Sequence, residues 1–141
     1  MEWTTTVEIA SRLHTVWAAV ADPLAWPAWS TDVTSITATG PDETPRVGAR
    51  YVVAEAWWQV RDQEIVISER REPEVFAFTA VHPRGEVIFE YRLRQLEENV
   101  GVEYRVRTVG FHPPSQVLGG NALERQHIEL MAALREYCES R

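Results

Sequence analysis

The sequence contains no lysine; all 14 basic residues are arginine. Chemistry that runs through a lysine amine is therefore excluded, including Schiff-base formation, a lysine general base and a P-loop phosphate contact. There is one cysteine, Cys138, so no internal disulfide can form and the fold does not call for an oxidising compartment. No stretch approaches the roughly 20 apolar residues of a membrane-spanning helix. The opening MEWTTTVEIA lacks a charged segment followed by an apolar one, so the expectation is a cytoplasmic chain with no membrane insertion. Basic runs are absent as well. With 21 acidic residues and a net charge of -7, the chain cannot offer the clustered cations that nucleic-acid phosphates require. No His-Glu-x-x-His, Gly-x-Ser-x-Gly, Gly-x-Gly-x-x-Gly or Cys-x-x-Cys pattern occurs, and the sequence asks for no cofactor and no metal.

What is present is an ordinary globular composition. The 141 residues are 45% hydrophobic and 25% charged, enough for a single domain over residues 1–141 with a core of its own. A chain of this size buries roughly 70% of its unfolded surface. Trp3, Thr5, Val7 and Ile9 alternate with Glu2, Thr4, Thr6 and Glu8, the period of a half-buried strand. Ser11 reads as an N-cap for a short helix carrying Leu13, Val16, Trp17 and Val20, which Asp22-Pro23 ends. The segment Pro23 to Trp29 holds a broken turn or two and closes one end of the core with its two indoles.

From Thr31 onward strand patterns alternate with turn signals. The expected strands are Asp32–Thr39, Arg50–Arg61, Gln63–Arg70, Val75–Val81, Glu86–Leu96 and Val102–Phe111, joined by hairpin-length turns and hence antiparallel. Val87, Phe89, Tyr91 and Leu93, followed by Val102, Tyr104, Val106 and Thr108, form one packed face against charged neighbours. After His112-Pro113-Pro114 the period changes. On a helical wheel His127, Leu130, Leu134, Tyr137 and Cys138 fall within roughly 60° of Leu123, with Met131 a little further round. A helix over about Asn121–Glu139 would be roughly 28 Å long, enough to cross a sheet.

This order resembles the START-like, or Bet v 1-like, helix-grip superfamily, and most closely its polyketide cyclase/dehydrase-type members. The match is carried by Val7-Glu8-Ile9-Ala10-Ser11 leading into Val16-Trp17-Ala18-Ala19-Val20-Ala21-Asp22, then by Trp26-Pro27-Ala28-Trp29. Val47-Gly48 opening a strand and Ile67-Ser68-Glu69-Arg70-Arg71-Glu72-Pro73 before Val75-Phe76-Ala77-Phe78 continue it. The resemblance implies an α+β fold in which a curved seven-stranded antiparallel sheet grips the last helix around an apolar cavity. Members bind lipids, polyketides, hormones or aromatic metabolites; some are cyclases or dehydratases, others carriers or partners of chaperones and ribosomes. The fold alone does not choose among these.

Within such a fold His127, at the centre of the apolar stripe, would face the cavity as a general acid/base or a ligand partner, a near-neutral pKa suiting proton transfer. The plainer alternative is a core histidine. Tyr91 and Tyr104 share the inner face and could orient a ligand oxygen; Phe89, Leu123 and Leu130 would supply apolar wall. Glu55 is either a buried carboxylate with a raised pKa, a second catalytic candidate, or a solvated outer residue. Trp57 and Trp58 point to opposite faces, so one indole lines the interior and the other is exposed or covers an interface. His82 and His112 end strands two spacings apart, roughly 9.6 Å, with Glu86 between them, too far for a shared metal. Arg92, Arg94, Arg105 and Arg107 interleave with Glu90 and Glu103, which suits cross-strand ion pairs. The expected function is binding of a small hydrophobic or aromatic metabolite, with acid/base cyclase or dehydratase activity as an extension. The alternative is a non-catalytic carrier or protein-interaction module, as monomer or homodimer.

Overall fold

The period-two pattern becomes one seven-stranded antiparallel sheet. The computed structural model describes residues 1–55, 61–110 and 121–141, without the side chains of Glu55, Arg61, His82, Asn121 and Ala122. Its strands are β1 (Glu2–Ile9), β2 (Ile36–Ala38), β3 (Arg50–Glu55), β4 (Arg61–Arg71), β5 (Val75–His82), β6 (Gly85–Leu96) and β7 (Asn99–Val109). They lie in the order β1-β7-β6-β5-β4-β3-β2, so β1 and β2 form opposite edges. Helix α1 (Leu13–Val20) and a 3-10 helix (Pro23–Ala28) carry the chain from one edge to the other. Helix α2 (Asn121–Glu139) packs on β1 and touches α1.

The strong alternation of β6 and β7 is realised in full. Val87, Phe89, Tyr91, Leu93, Val102, Tyr104, Val106 and Thr108 are all buried, because the register pairs Phe89 with Val106 and Tyr91 with Tyr104 on one face. Each such large apolar side chain contributes roughly 1.5–3 kcal/mol by leaving water. The stripe on α2 is also as expected, except that Met131 is fully buried and Tyr137 only half-buried.

Local expectations needed correction at several places. Ser11 does not cap α1: the N-cap is Arg12, with no side-chain cap bond. The Ser11 hydroxyl instead donates to the Cys138 carbonyl at 3.2 Å, tying the β1–α1 junction to the end of α2. Strand β2 is three residues rather than eight, since the Ser30 hydroxyl accepts from the backbone N–H groups of Asp32 and Val33 and holds this stretch in a turn. Arg61 opens β4 rather than ending β3, because it pairs with Glu55 across that hairpin. The β6–β7 turn is tighter than read from the Glu98–Gly101 stretch. Leu96 pairs with Asn99, and Glu97 takes φ +41° so that Val100 turns inward and is fully buried. The outer-face arginines pair chiefly along their own strands, Arg92 with Glu90, Arg105 with Glu103 and Arg71 with Glu69. Residues two apart share a face, and the arginine side chain spans that interval. Only Arg105–Glu2 and Arg50–Glu64 bridge strands among these pairs. Most of these side chains are exposed, with Glu90, Glu103 and Arg105 half-buried, and surface pairs of this kind contribute little.

The indoles of Trp26, in the 3-10 helix, and Trp29, its C-cap, do close one end of the core. Trp26 donates its Nε1–H to the Val20 carbonyl and Trp29 to that of Ala19, both at 3.0 Å. These bonds satisfy acceptors in the last turn of α1 that would otherwise be left without donors. Trp29→Phe should therefore cost about 1 kcal/mol in urea unfolding with little change in the transition's steepness. Gly85→Ala should cost far more, because an added Cβ would lie 1.9 Å from the Val109 carbonyl oxygen. Gly40→Ala, with nothing within 4 Å of its Cβ, should stay within about 0.5 kcal/mol of the parent in the same assay.

Candidate functional site

Where α2 crosses the inner face, the polar side chains that the sequence singled out come together. His127 is 4% exposed and meets two aromatic rings edge-on: Tyr104 at 5.4 Å and Trp3 at 6.2 Å between ring centroids. Tyr104 in turn lies 4.7 Å from Tyr91, its partner across β6 and β7. His127, Tyr104 and Tyr91 thus form a contiguous row from helix to sheet. Leu123 and Leu130 flank His127 on the helix and are buried. Phe89 belongs to a neighbouring row: it stacks on Phe78 at 4.7 Å and 9°, and Phe78 packs against Trp26 at 4.7 Å. It is a wall of the core rather than a neighbour of the histidine.

Burial sets the electrostatics of this row. Desolvation alone pushes the His127 pKa down to about 4, so at neutral pH the imidazole is uncharged. This corrects the expectation of a near-neutral proton shuttle: the site is too dry for the cation. Tyr91 and Tyr104 are both driven well above the ordinary phenol range, first by burial and then by neighbouring negative charge, with Asp32 contributing to both. Interaction between the two hydroxyls favours Tyr104 as donor and Tyr91 as acceptor. The row therefore presents neutral donors and acceptors, suited to a carbonyl or hydroxyl oxygen.

His127 makes no hydrogen bond to the described residues. The residue before it, Gln126, does: its amide donates to Asp32 at 3.2 Å and pins α2 to the loop after the 3-10 helix. Trp3, Asp32 and Gln126 were not singled out from sequence. Trp3 was visible only as one more inward residue of an alternating strand, and the Asp32–Gln126 contact joins segments 94 apart.

Several expected positions lie outside the described residues: Trp57, Trp58, His112 and the side chains of Glu55 and His82. The inward alternation of β3 is that of Tyr51 and Val53, both fully buried. Among the described residues no three His, Cys, Asp or Glu side chains gather as a metal site, and no helix is long and apolar enough to cross a membrane. Two surface grooves are present. One of about 840 Å³ runs over the outer sheet face past Thr6, Val75, Leu96 and Gly101. Another of about 510 Å³ lies by Ser11, His14 and Pro73. Neither is lined by His127, Tyr91 or Tyr104.

A polyketide cyclase/dehydrase and lipid transport family model matches residues 1–139. The chain belongs to this family. Solved structures support the same helix-grip fold. Hypothetical protein jhp0584 from Helicobacter pylori is 15% identical with a TM-score of 0.79, covering 98% of this chain and 88% of its own. DynU16, from the dynemicin biosynthetic locus, is 18% identical with a TM-score of 0.72, over 98% of this chain but 47% of its own. The Aha1 dimer from Colwellia psychrerythraea is 10% identical with a TM-score of 0.71, over 99% and 96%. No curated protein matches the sequence. At these identities the likeness is one of fold, and the family's range from cyclase to lipid carrier is narrowed only by the site.

The depressed His127 pKa makes a signed prediction about acid stability. The unfolded chain takes up this proton near 6.5 and the folded chain near 4, so U binds more protons in that window and stability rises with pH across it. Stability is lost as pH falls from about 6.5 to about 4, by at most about 3 kcal/mol. His127→Leu should flatten this part of the stability profile, measured by urea unfolding at stepped pH. An unaltered slope would show that His127 is protonated alike in both states.

Proposed function

We propose that this family member binds a small hydrophobic or aromatic metabolite, lipid- or polyketide-like, against the inner sheet face beneath α2. His127 and the Tyr91–Tyr104 pair hold an oxygen of that molecule. The observation that carries this reading is a largely buried, neutral imidazole on the apolar stripe of α2 that makes no hydrogen bond to the described residues and lies edge-on to Tyr104. A purely structural position on an apolar stripe would be better filled by leucine, as at Leu123, Leu130 and Leu134. A ligand oxygen or hydroxyl supplies the missing partner, and the aromatic wall of Phe76, Phe78 and Phe89 suits a flat or apolar body.

Cyclase or dehydratase turnover asks more of His127 than binding does. With a pKa near 4 it is a weak base and almost never an acid at neutral pH, whereas the neutral ring is a good hydrogen-bond partner. Binding is accordingly the primary reading, and proton transfer would need a ligand whose charge raises that pKa. A protein-interaction role has one observation in its favour: Val81 and Val109 are exposed and flank Glu86 in one cross-strand row of the outer face.

Native mass spectrometry of the protein purified from its own cells, followed by denaturing extraction, should reveal a retained small molecule. His127→Leu should then weaken rebinding of that compound about tenfold, the loss of one buried hydrogen bond, while the free protein melts no earlier. Unchanged affinity in the variant would remove His127 from the site.

A further inference from the structure

A second group of buried donors lies at the other end of the inner face, where α1 and the 3-10 helix close the core. Of the buried indoles among the described residues, Trp26 and Trp29 have carbonyl partners, but the Nε1 of Trp17 has none. The hydroxyl of Tyr51 and the Nε of Arg70 are likewise buried and without a hydrogen-bond partner among the described residues. Trp17 and Tyr51 are 4% and 1% exposed. The Arg70 guanidinium carbon is 5.4 Å from the Trp17 ring centroid, and the Tyr51 phenol lies within range of the charges of Asp22, Arg46, Arg70 and Asp42. Arg70 faces this way because a register shift between Ile67 and Glu69 rephases β4. That shift sets Arg70 opposite the fully buried Phe76, whose ring contacts Trp17 at 6.4 Å. Arg70 makes no ion pair among the described residues, unlike Arg50, Arg71, Arg92 and Arg105.

An indole N–H and a guanidinium N–H can only donate, and a phenol donates readily. We propose that this group is a carboxylate subsite and that the ligand is an amphipathic acid. Its carboxylate is taken by Arg70 with Trp17 and Tyr51, and its apolar body runs along Phe76 and Phe78 toward the His127 row. The inference rests on the ligand-binding reading above and narrows it to a substrate class. A carboxylate brings lone pairs for all three donors and the negative charge that Arg70 lacks. A neutral ligand would bring lone pairs but no charge to this half-buried guanidinium.

Laurate and 2-naphthoate, each titrated calorimetrically against the matching primary alcohol, test this directly. The acids should bind about tenfold or more tightly than the alcohols. Arg70→Gln and Tyr51→Phe should each bring the acid-to-alcohol ratio toward one. Tyr51→Phe removes only a hydroxyl that has no partner among the described residues, so its unliganded melting temperature should hold or rise, which separates the subsite role from a folding defect. Acids and alcohols binding equally, with no change of ratio in either variant, would overturn the carboxylate subsite while leaving the metabolite-binding reading intact. Binding of neither class would overturn both.

Discussion

The docking of α2 beside β1 decides what the rest of the inner face can do. One stripe of the helix, Leu123, His127, Leu130, Met131, Leu134 and Cys138, is buried. The helix is held at both ends by polar ties to distant segments: Gln126 to Asp32, Ser11 to the Cys138 carbonyl, and the Ala10 N–H to the Glu139 carboxylate at 2.8 Å. Because α2 sits over the β1 edge rather than the sheet centre, its histidine meets Trp3 and Tyr104. Phe76 and Phe78 of β5 are left to pack against the Trp26 indole of the 3-10 helix, with Phe89 of β6 stacked on Phe78. A single placement thus divides the interior into an aromatic middle and two polar ends.

Those ends differ in kind. The His127–Tyr104–Tyr91 row holds all three groups neutral, so in the binding reading proposed above it would act by hydrogen bonding rather than by charge. The Trp17–Tyr51–Arg70 end holds a cation, with buried donors that have no hydrogen-bond acceptor among the described residues. Leaving such groups unmet costs stability in the free protein, and the cost is recovered when a molecule supplies the acceptors. A family that spans cyclases and lipid carriers can be diversified in this way, by changing which interior polar atoms are left open on an unchanged sheet.

The fold was legible because its strongest signals are local. The alternation through β6 and β7 and the stripe on α2 each declare a buried face within one element, and the order of those elements matches a known architecture. His127, Tyr91 and Tyr104 were legible for the same reason, each lying on a face that its own period defines. Arg70 was not, because continuing the alternation of Ile65 and Ile67 places it outward and only the register shift turns it in. Trp17 was read as core, which it is; that its N–H goes unmet depends on where the carbonyls of another segment lie. The His127 pKa was misread from sequence because its direction depends on how completely Trp3, Tyr104 and the sheet exclude water. The cap at Ser11 failed because a hydroxyl that could serve its own helix found a carbonyl 127 residues away.

The central claim is that the ligand lies between the sheet and α2, against His127. The most direct measurement is intermolecular NOE spectroscopy on the labelled protein with the molecule it retains from its own cells. The account predicts cross-peaks from that molecule to the ring protons of His127 and Tyr104. Cross-peaks confined to Thr6, Val75 and Leu96, in the groove on the outer face, would contradict it.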